Sequence, residues 1–282
     1  MKTRTKKINK AIITAILVLV VLILFFPIFV MVMKSFMSEA EVFDYPKLFP
    51  KQLEFKNYNI SNYSPQLAGE FMTWTFNTLI VVFLNIIGTV FSGFLCAYGF
   101  AKVHFKFKGF WFAVTMASTM LPAITLRIPL YMMYHDWGWL GTLSPLTVPA
   151  FFGGGALNIF LIMQFIKGIP NAMFESAKID GANELRCMTR IALPNCKPLV
   201  AYLCVTTFLG VWNDYSSALI YLTNSREKWT LALGLYRTSL EPLFRDNLKM
   251  AVGVLMCLPP LIVFGFSQKL LIEGVTMNGI KA

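Results

Sequence analysis

Residues 11–33 form one apolar run, AIITAILVLVVLILFFPIFVMVM, that contains no charged side chain. A helix needs roughly 20 apolar residues to cross the hydrocarbon core of a bilayer, which is about 30 Å thick. A cleaved signal peptide is the alternative, because a basic segment precedes the run at residues 2–10. However, the run is longer than the roughly 7–15 residues of a signal-peptide core, and no small-x-small cleavage site follows it. We therefore predict an uncleaved first transmembrane helix.

Five further stretches of the chain have a similar length and apolar character. Apolar residues make up 56% of the sequence and charged residues only 14%, too few to coat a soluble globule of 282 residues. The predicted fold class is an all-α, polytopic membrane helix bundle with six transmembrane helices. The transmembrane domain covers residues 11–267, and its predicted spans are 11–33, 71–98, 110–133, 146–166, 199–222 and 248–267.

The distribution of charge predicts the orientation. With the N-terminus inside the cell, four segments are cytoplasmic, and they hold 15 of the 25 Lys and Arg residues but only 4 of the 14 Asp and Glu residues. The net charge of +11 then lies entirely on the cytoplasmic side, as the positive-inside rule expects. A nucleic-acid partner is therefore not needed to explain the excess of Lys and Arg over Asp and Glu. The four segments are the N-terminal tail 1–10, the turn 99–109, the loop 167–198 and the C-terminal tail 268–282; the longest external loop is 34–70.

The cytoplasmic loop 167–198 is too polar to span a membrane but is strongly patterned. Asn171 follows a proline and is a plausible N-cap, and small apolar residues then recur at helical spacing. The pair Asp180-Gly181 is typical of a turn, and Pro194 is expected to end a second helical stretch. The pattern predicts a helix-turn-helix that is either a docking knob for a partner or an ordinary amphipathic connector.

Nine residues of this loop resemble the EAA motif of ABC importer permeases, in which E-A-A is followed by G and then by I-x-L-P at fixed spacing. The chain departs from the motif at Ser176, where the second Ala usually stands. The resemblance implies that this loop couples the permease to an ATPase. The implied coupling residues are Glu175, Ser176, Ala177, Asp180, Gly181, Ala182, Ile191, Leu193 and Pro194.

Other stretches are similar to the carbohydrate subfamily of these permeases, which includes the maltose-type importers. They are Lys56-Asn57-Tyr58 in the external loop, Trp212-Asn213-Asp214 in the fifth span and the tail 273–281. The resemblance implies the type I importer (MetI-like) permease fold in a bacterial cytoplasmic membrane, with both termini cytoplasmic. It also implies three protein partners and a sugar substrate: a second permease that completes a heterodimer, a cytoplasmic ATPase dimer, and an extracellular or periplasmic solute-binding protein.

The sequence supports this division of labour. No Gly-Lys dipeptide occurs anywhere in the chain, so a phosphate-binding loop of the form G-x-x-x-x-G-K-[ST] is excluded. We therefore expect no enzyme activity and no bound cofactor in this chain, with ATP and Mg²⁺ held by the partner ATPase. The five cysteines lack C-x-x-C spacing and only two histidines occur, so no metal site is predicted either. The expected mechanism is alternating access driven by ATP closure of the partner.

Polar residues at membrane depth are candidates for the sugar path, because they are costly unless they face a cavity or a partner. Snorkelling by the arginine and helix–helix hydrogen bonding by the asparagines are the alternative roles. The candidates are Asn77, Asn85, Arg127, Asn158, Trp212, Asn213 and Asp214.

Three alternative functions remain open at this point. An ABC importer permease for a non-sugar solute would carry the same coupling motif. A secondary transporter would usually show carboxylates buried in mid-helix, and only Asp214 comes near that position. An intramembrane hydrolase would need a catalytic constellation within the spans, whereas His104 and His135 fall at loops.

Overall fold

The computed structural model describes the backbone of residues 2–44, 47–59, 65–240 and 245–279, and the side chains of 9–44, 47–59, 67–240 and 245–268. Over these ranges the chain consists of helices and connecting turns, without a β-strand, which confirms the all-α fold class. The helices are α1 (Lys2–Ser35), α2 (Glu39–Val42), α3 (Pro65–Lys102), α4 (Lys108–Ala117), α5 (Ala123–Asp136), α6 (Ser144–Thr147), α7 (Ala156–Lys167), α8 (Asn171–Ile179), α9 (Glu184–Cys187), α10 (Leu193–Asn195), α11 (Lys197–Trp212), α12 (Tyr215–Tyr221), α13 (Leu231–Ser239) and α14 (Asp246–Gly279).

Four helical segments of the described chain are long and apolar enough to cross a membrane. They are Asn9–Ser35, Leu67–Lys102, Ser144–Lys167 and Asp246–Gln268. Two further helix pairs pass the same test but are bent, by 100° between Lys108–Met120 and Ala123–Asp136 and by 79° between Glu184–Asn195 and Lys197–Trp212. The number of spans is therefore six if each bent pair counts as one.

The helix expected over 199–222 is not continuous, which corrects the sequence prediction. α11 ends at Trp212, and α12 begins at Tyr215 after a two-residue break. Asp214 lies in the break, where its Oδ1 accepts a hydrogen bond of 2.9 Å from the backbone N–H of Ser217. Asp and Asn side chains compete with helical hydrogen bonds in this way, and here the carboxylate caps the new helix.

The first helix presents an apolar surface that the described protein does not cover. Every side chain from Asn9 to Phe29 is exposed, and the run includes large residues such as Leu22, Leu24 and Phe25. Such a surface is costly in water but matches the hydrocarbon core of a bilayer. This exposure supports the assignment of α1 as a membrane helix.

The chain divides into two compact units, the first of which comprises residues 1–69 and 237–259. Its organising side chain is Asn57, which is fully buried. The Asn57 Nδ2 donates to the carbonyl oxygens of Ser35 and Met37 at 2.9 and 2.8 Å, and its Oδ1 accepts from Asn247 at 3.1 Å. One buried amide thus joins the segment between α2 and α3 to the end of α1 and to the start of α14, and Asn57 belongs to the stretch 56–58 that was identified from the sequence.

The second unit comprises residues 70–236 and 260–282 and contains the main hydrophobic core. α3 contributes Phe94 and Tyr98, α7 contributes Ile162 and Ile166, and the segment 167–198 contributes Phe174. Between membrane helices, close van der Waals packing rather than the hydrophobic effect stabilises such contacts. The segment 167–198 is therefore part of the same core as two membrane helices.

Candidate functional site

The turn between α8 and α9 explains why glycine stands at position 181. α8 ends in a Schellman motif, in which the N–H of Ala182 bonds to the carbonyl of Ala177 at 2.8 Å and the N–H of Gly181 bonds to that of Lys178 at 3.1 Å. This motif requires a left-handed residue, and Gly181 has φ = +81°. The predicted interruption at Asp180-Gly181 is confirmed. We call residues 171–193 the coupling knob.

The inner face of the coupling knob is fixed to the end of α3. Phe174 is 5% exposed, and its ring lies 6.5 Å from that of Tyr98. The Lys102 ammonium lies 4.3 Å from the centre of the Phe174 ring and donates to the Asn171 Oδ1 at 2.7 Å. A hydrophobic anchor, a cation–π contact and a hydrogen bond thus hold α8 against a membrane helix.

Glu184 makes a second connection between the coupling knob and α3. Its carboxylate accepts from the Tyr98 hydroxyl at 2.7 Å and from the Lys178 ammonium at 2.6 Å. The bond from Lys178, followed by that from Tyr98, lowers the pKa of Glu184, and the bond to Glu184 raises the pKa of Lys178. Asn183 caps α9 by accepting from the N–H of Arg186 at 2.8 Å.

The predicted coupling residues divide between the two faces of the coupling knob. Ala177, Ala182 and Ile191 are half-buried and pack against the core. The remaining six are exposed to solvent: Glu175, Ser176, Asp180, Gly181, Leu193 and Pro194.

Two local predictions in this loop are wrong. Pro170 occupies the N-cap position and Asn171 is the first helical residue, because the Asn171 side chain bonds to Lys102 rather than to the helix backbone. The second helical stretch continues past Pro194 to Asn195, through a π-helical turn at Met188–Ala192. Proline has no backbone N–H, so the i→i−4 bonding pattern cannot run regularly through position 194, and the turn that precedes it is π-helical.

Two of the predicted substrate-path residues are committed to the packing of the second unit. Asn77 is 9% exposed, and its Nδ2 donates to the carbonyls of Glu227 and Trp229 at 2.9 and 3.0 Å. Trp212 is 2% exposed and stacks on Phe208 at 5.5 Å. Asn77 thus joins two segments of the protein, the alternative role that the sequence left open for the asparagines, whereas Trp212 packs on a ring of its own helix.

Three other candidates are not among the side chains that line the cleft of the remaining two. Asn158 donates to the carbonyl of Gly154 at 2.7 Å within its own helix start. Asn213 is exposed and donates to the carbonyl of Leu209 at 2.9 Å. Arg127 is exposed on α5.

The last two candidates, Asn85 and Asp214, line the same cleft of about 260 Å³. The sequence did not single out the other polar and aromatic side chains of this cleft, Tyr134, Ser217, Tyr221 and Thr230. It also missed the anchors Tyr98 and Lys102 of the coupling knob. The available signal was the position of Tyr98 and Lys102 at the C-terminal end of an apolar run, because a polar group there needs a partner from the segment that covers the helix end.

Comparison with known proteins assigns the family. Residues 88–277 match the model of the "Binding-protein-dependent transport system inner membrane component" family, which is about two-thirds of the chain. This chain belongs to that family. The matched region contains the coupling knob and most of the Asp214 cleft, whose residue Asn85 lies just before it.

Relatives match this permease over almost its whole length. It is 27% identical to the melibiose/raffinose/stachyose import permease protein MelC of Bacillus subtilis (strain 168), over 99% of this chain and 98% of MelC. It is 28% identical to the arabinooligosaccharides transport system permease protein AraQ of the same organism, over 92% of each chain.

A solved structure of a bacterial ABC transporter involved in the import of the acidic polysaccharide alginate has the same fold. The TM-score is 0.84 at 22% identity, covering 94% of this permease and 97% of the other chain. The expected ABC importer permease fold is therefore confirmed. As a transport permease component, this chain is not an enzyme.

Proposed function

We propose that this chain imports a sugar or oligosaccharide across the bacterial cytoplasmic membrane as one half of a heterodimeric permease. The names of MelC and AraQ, together with the carbohydrate-type stretches at 56–58 and 212–214, support a sugar substrate. A permease for a non-sugar solute is the second candidate, because the coupling loop carries no information about the substrate.

The observation that carries the proposal is the construction of the coupling knob. Its backbone turn is closed by internal bonds at Gly181, and its inner face is fixed to α3 through Phe174 and Tyr98. A displacement of such a rigid element is transmitted directly to the membrane helix α3. Alternating access requires this kind of transmission.

The outer face of the coupling knob suits a protein partner. Ile179 is 87% exposed, and Met173 is 42% exposed. Exposed apolar side chains next to charged Glu175 and Asp180 are typical of a docking surface. We assign this surface to the cytoplasmic ATPase dimer, which would bind ATP and Mg²⁺, whereas this chain would bind no cofactor.

The remaining partners and the topology follow from the same assignment. The family description supports a solute-binding protein on the opposite side of the membrane, which delivers the sugar. Because the coupling knob must face the ATPase, loop 167–198 is cytoplasmic, and the positive-inside charge places both termini there as well. The loops are proposed on these sides of the membrane, with the fifth span broken at residues 213–214 and the third span bent between Met120 and Ala123.

Uptake by cells with and without this chain tests the proposed substrate. Labelled melibiose, raffinose and arabinooligosaccharides are compared with a mixture of labelled amino acids. We expect uptake of at least one saccharide to depend on this chain. Dependence of amino-acid uptake instead, with no change for the saccharides, would overturn the sugar assignment in favour of the second candidate.

The docking role has a separate test. Gly181→Asp places a side chain on a residue that needs φ = +81°, in the middle of the docking surface. We expect the variant to insert into the membrane at the wild-type level but to lose sugar uptake. Normal uptake by Gly181→Asp would contradict the docking role while leaving the substrate assignment intact.

A further inference from the structure

The Asp214 cleft lies where two membrane segments lose regular helical structure. The break between α11 and α12 at residues 213–214 forms one side, and the turn of α6 with the 3₁₀ segment Val148–Phe151 forms another. Non-helical backbone at membrane depth is tolerated only where it is buried in protein or lines a polar cavity. The position of the cleft therefore accounts for both irregularities.

The polar groups of the cleft are rich in hydrogen-bond acceptors. Both amide hydrogens of Asn85 are used, by the carbonyls of Val81 and Leu146 at 2.8 and 2.7 Å, which leaves its Oδ1 as an acceptor. The Asp214 carboxylate accepts one backbone bond through Oδ1, and no described residue forms an ion pair with it. A ligand that donates several hydrogen bonds fits this set.

One group at the floor of the cleft lacks a partner altogether. Thr230 is 3% exposed, and its hydroxyl oxygen is buried with no hydrogen-bond partner among the described residues. An unsatisfied buried hydroxyl costs roughly 1–3 kcal/mol. Thr230 lines the cleft, so a ligand that bonded to this hydroxyl would recover part of that cost.

The remaining wall of the cleft is aromatic. The rings of Tyr134 and Tyr221 meet edge to face, with centroids 5.3 Å apart, and are only 5% and 9% exposed. Asp214 and Ser217 are half-buried. One face of the Tyr134 ring is covered by Trp139, which stacks on it at 5.5 Å, so the rest of the aromatic wall is what the apolar C–H groups of a sugar ring would contact, with the fixed acceptors beside it for the hydroxyl donors.

The size and charge of the cleft decide between possible ligands. A volume of about 260 Å³ lies just below the roughly 300–1,000 Å³ of pockets for drug-sized molecules, so it suits one ring rather than an extended chain. A cation site would need several anionic ligands, and no cluster of three His, Cys, Asp or Glu able to hold a metal occurs within the described ranges.

We propose that the Asp214 cleft binds one sugar ring of the transported saccharide, with Asp214, Asn85 and Thr230 receiving its hydroxyl groups. This inference rests on the proposed import of a saccharide. If the cleft binds the sugar, this subunit contacts the substrate directly. A permease subunit without such a site would only line the transport pathway.

Two substitutions test the cleft while preserving its packing. Asp214→Asn keeps a capping oxygen for the Ser217 N–H but removes the charge, and Thr230→Val keeps the side-chain shape. The controls are Asp136→Asn, whose side chain is 76% exposed and outside the cleft, and Thr206→Val, whose exposed hydroxyl bonds to Tyr202 in its own helix. Co-purification with the other subunits verifies assembly of every variant.

The measurement is the KM for uptake of labelled raffinose, or of whichever saccharide the wild type imports, by the complete transporter in proteoliposomes. We expect KM to rise about 10-fold for Asp214→Asn and about 2- to 10-fold for Thr230→Val, with both controls at the wild-type value. Wild-type KM in both cleft variants, with saccharide import intact, would overturn the cleft and leave the proposed function standing. Absence of saccharide import by the wild type would overturn the proposed function and the cleft together.

Discussion

In the coupling knob, polar groups bond to one another: Glu184 joins Tyr98 and Lys178, Asn183 caps α9, and the turn at Gly181 closes on itself. In the Asp214 cleft, by contrast, the hydroxyl of Thr230 has no partner in the described structure. The coupling knob therefore suits the role of a rigid element, because its polar groups are bonded to other groups of the protein. The cleft suits the role of a binding site, because a polar group in it lacks a protein partner that a ligand would supply. Substitutions of similar size should then have opposite effects on stability in the two regions.

The largest expected effect is that of Phe174→Ala in the coupling knob. Removing a ring that is 5% exposed should lower the free energy of unfolding by about 3–5 kcal/mol, because a cavity is left against α3. Met173→Ala, on the adjacent exposed position, is the control and should cost far less. Thermal unfolding of the purified protein in detergent measures both. Equal stability of the two variants would show that the coupling knob is not anchored through Phe174.

The second effect isolates the backbone of the turn. A Cβ built on Gly181 meets no atom within 4 Å, so Gly181→Ala introduces only the strain of a left-handed residue, about 1–2 kcal/mol. Gly181→Asn should cost less, because asparagine tolerates this conformation. The order Gly > Asn > Ala in unfolding temperature is the expected result. If alanine is as stable as glycine, the left-handed turn does not exist in solution.

The third effect concerns the link between Glu184 and the membrane helix. Tyr98→Phe removes one hydrogen bond to a carboxylate that is still 46% exposed and can bind water, so we expect a loss of about 1 kcal/mol. Tyr202→Phe, at a ring that is 43% exposed, is the matched control and should change stability little. A Tyr98→Phe variant that unfolds at the wild-type temperature would show that the Tyr98–Glu184 hydrogen bond does not stabilise the protein.

The smallest expected effect, and the one of opposite sign, is in the cleft. Thr230→Val removes an unpartnered hydroxyl and should leave stability unchanged or raise it by about 1 kcal/mol. Thr78→Val is the contrasting variant: the Thr78 hydroxyl donates to Trp74 and accepts from the N–H of Leu231, so its removal orphans a buried donor. If Thr230→Val is as destabilising as Thr78→Val, the Thr230 hydroxyl is satisfied in the folded protein and the contrast between the two regions fails.

The sequence predicted the coupling knob better than the cleft, and the reason is physical. The turn at Gly181 depends on neighbouring residues, and an Asp-Gly pair predicts a turn from the local sequence alone. The anchors Tyr98 and Lys102 lie about 70 or more residues before their partners in the coupling knob. Periodicity within one helix does not reveal such long-range pairs.

The cleft was harder to predict because the same residue types serve two roles at membrane depth. Asn77 and Asn85 both carry amides in α3, yet Asn77 bonds to the 227–229 segment whereas Asn85 faces the cavity. Tyr134, Tyr221 and Thr230 come from separate segments that only the fold brings together. The break at 213–214 was also missed, although Asn213 and Asp214 interrupt the apolar run and such side chains compete with helical hydrogen bonds.

Co-purification from gently solubilised membranes tests the central claim, that the coupling knob docks an ATPase, most directly. Wild type, Gly181→Asp and the conformational control Gly181→Asn are each tagged and expressed with the neighbouring subunits. We predict that a P-loop ATPase and a second permease accompany the wild type, and that Gly181→Asp retains the second permease but loses the ATPase. Gly181→Asn, which keeps the left-handed turn without adding charge, should retain more of the ATPase than Gly181→Asp does. Equal recovery of the ATPase with wild type and Gly181→Asp, or a wild-type chain that purifies alone, would contradict the account.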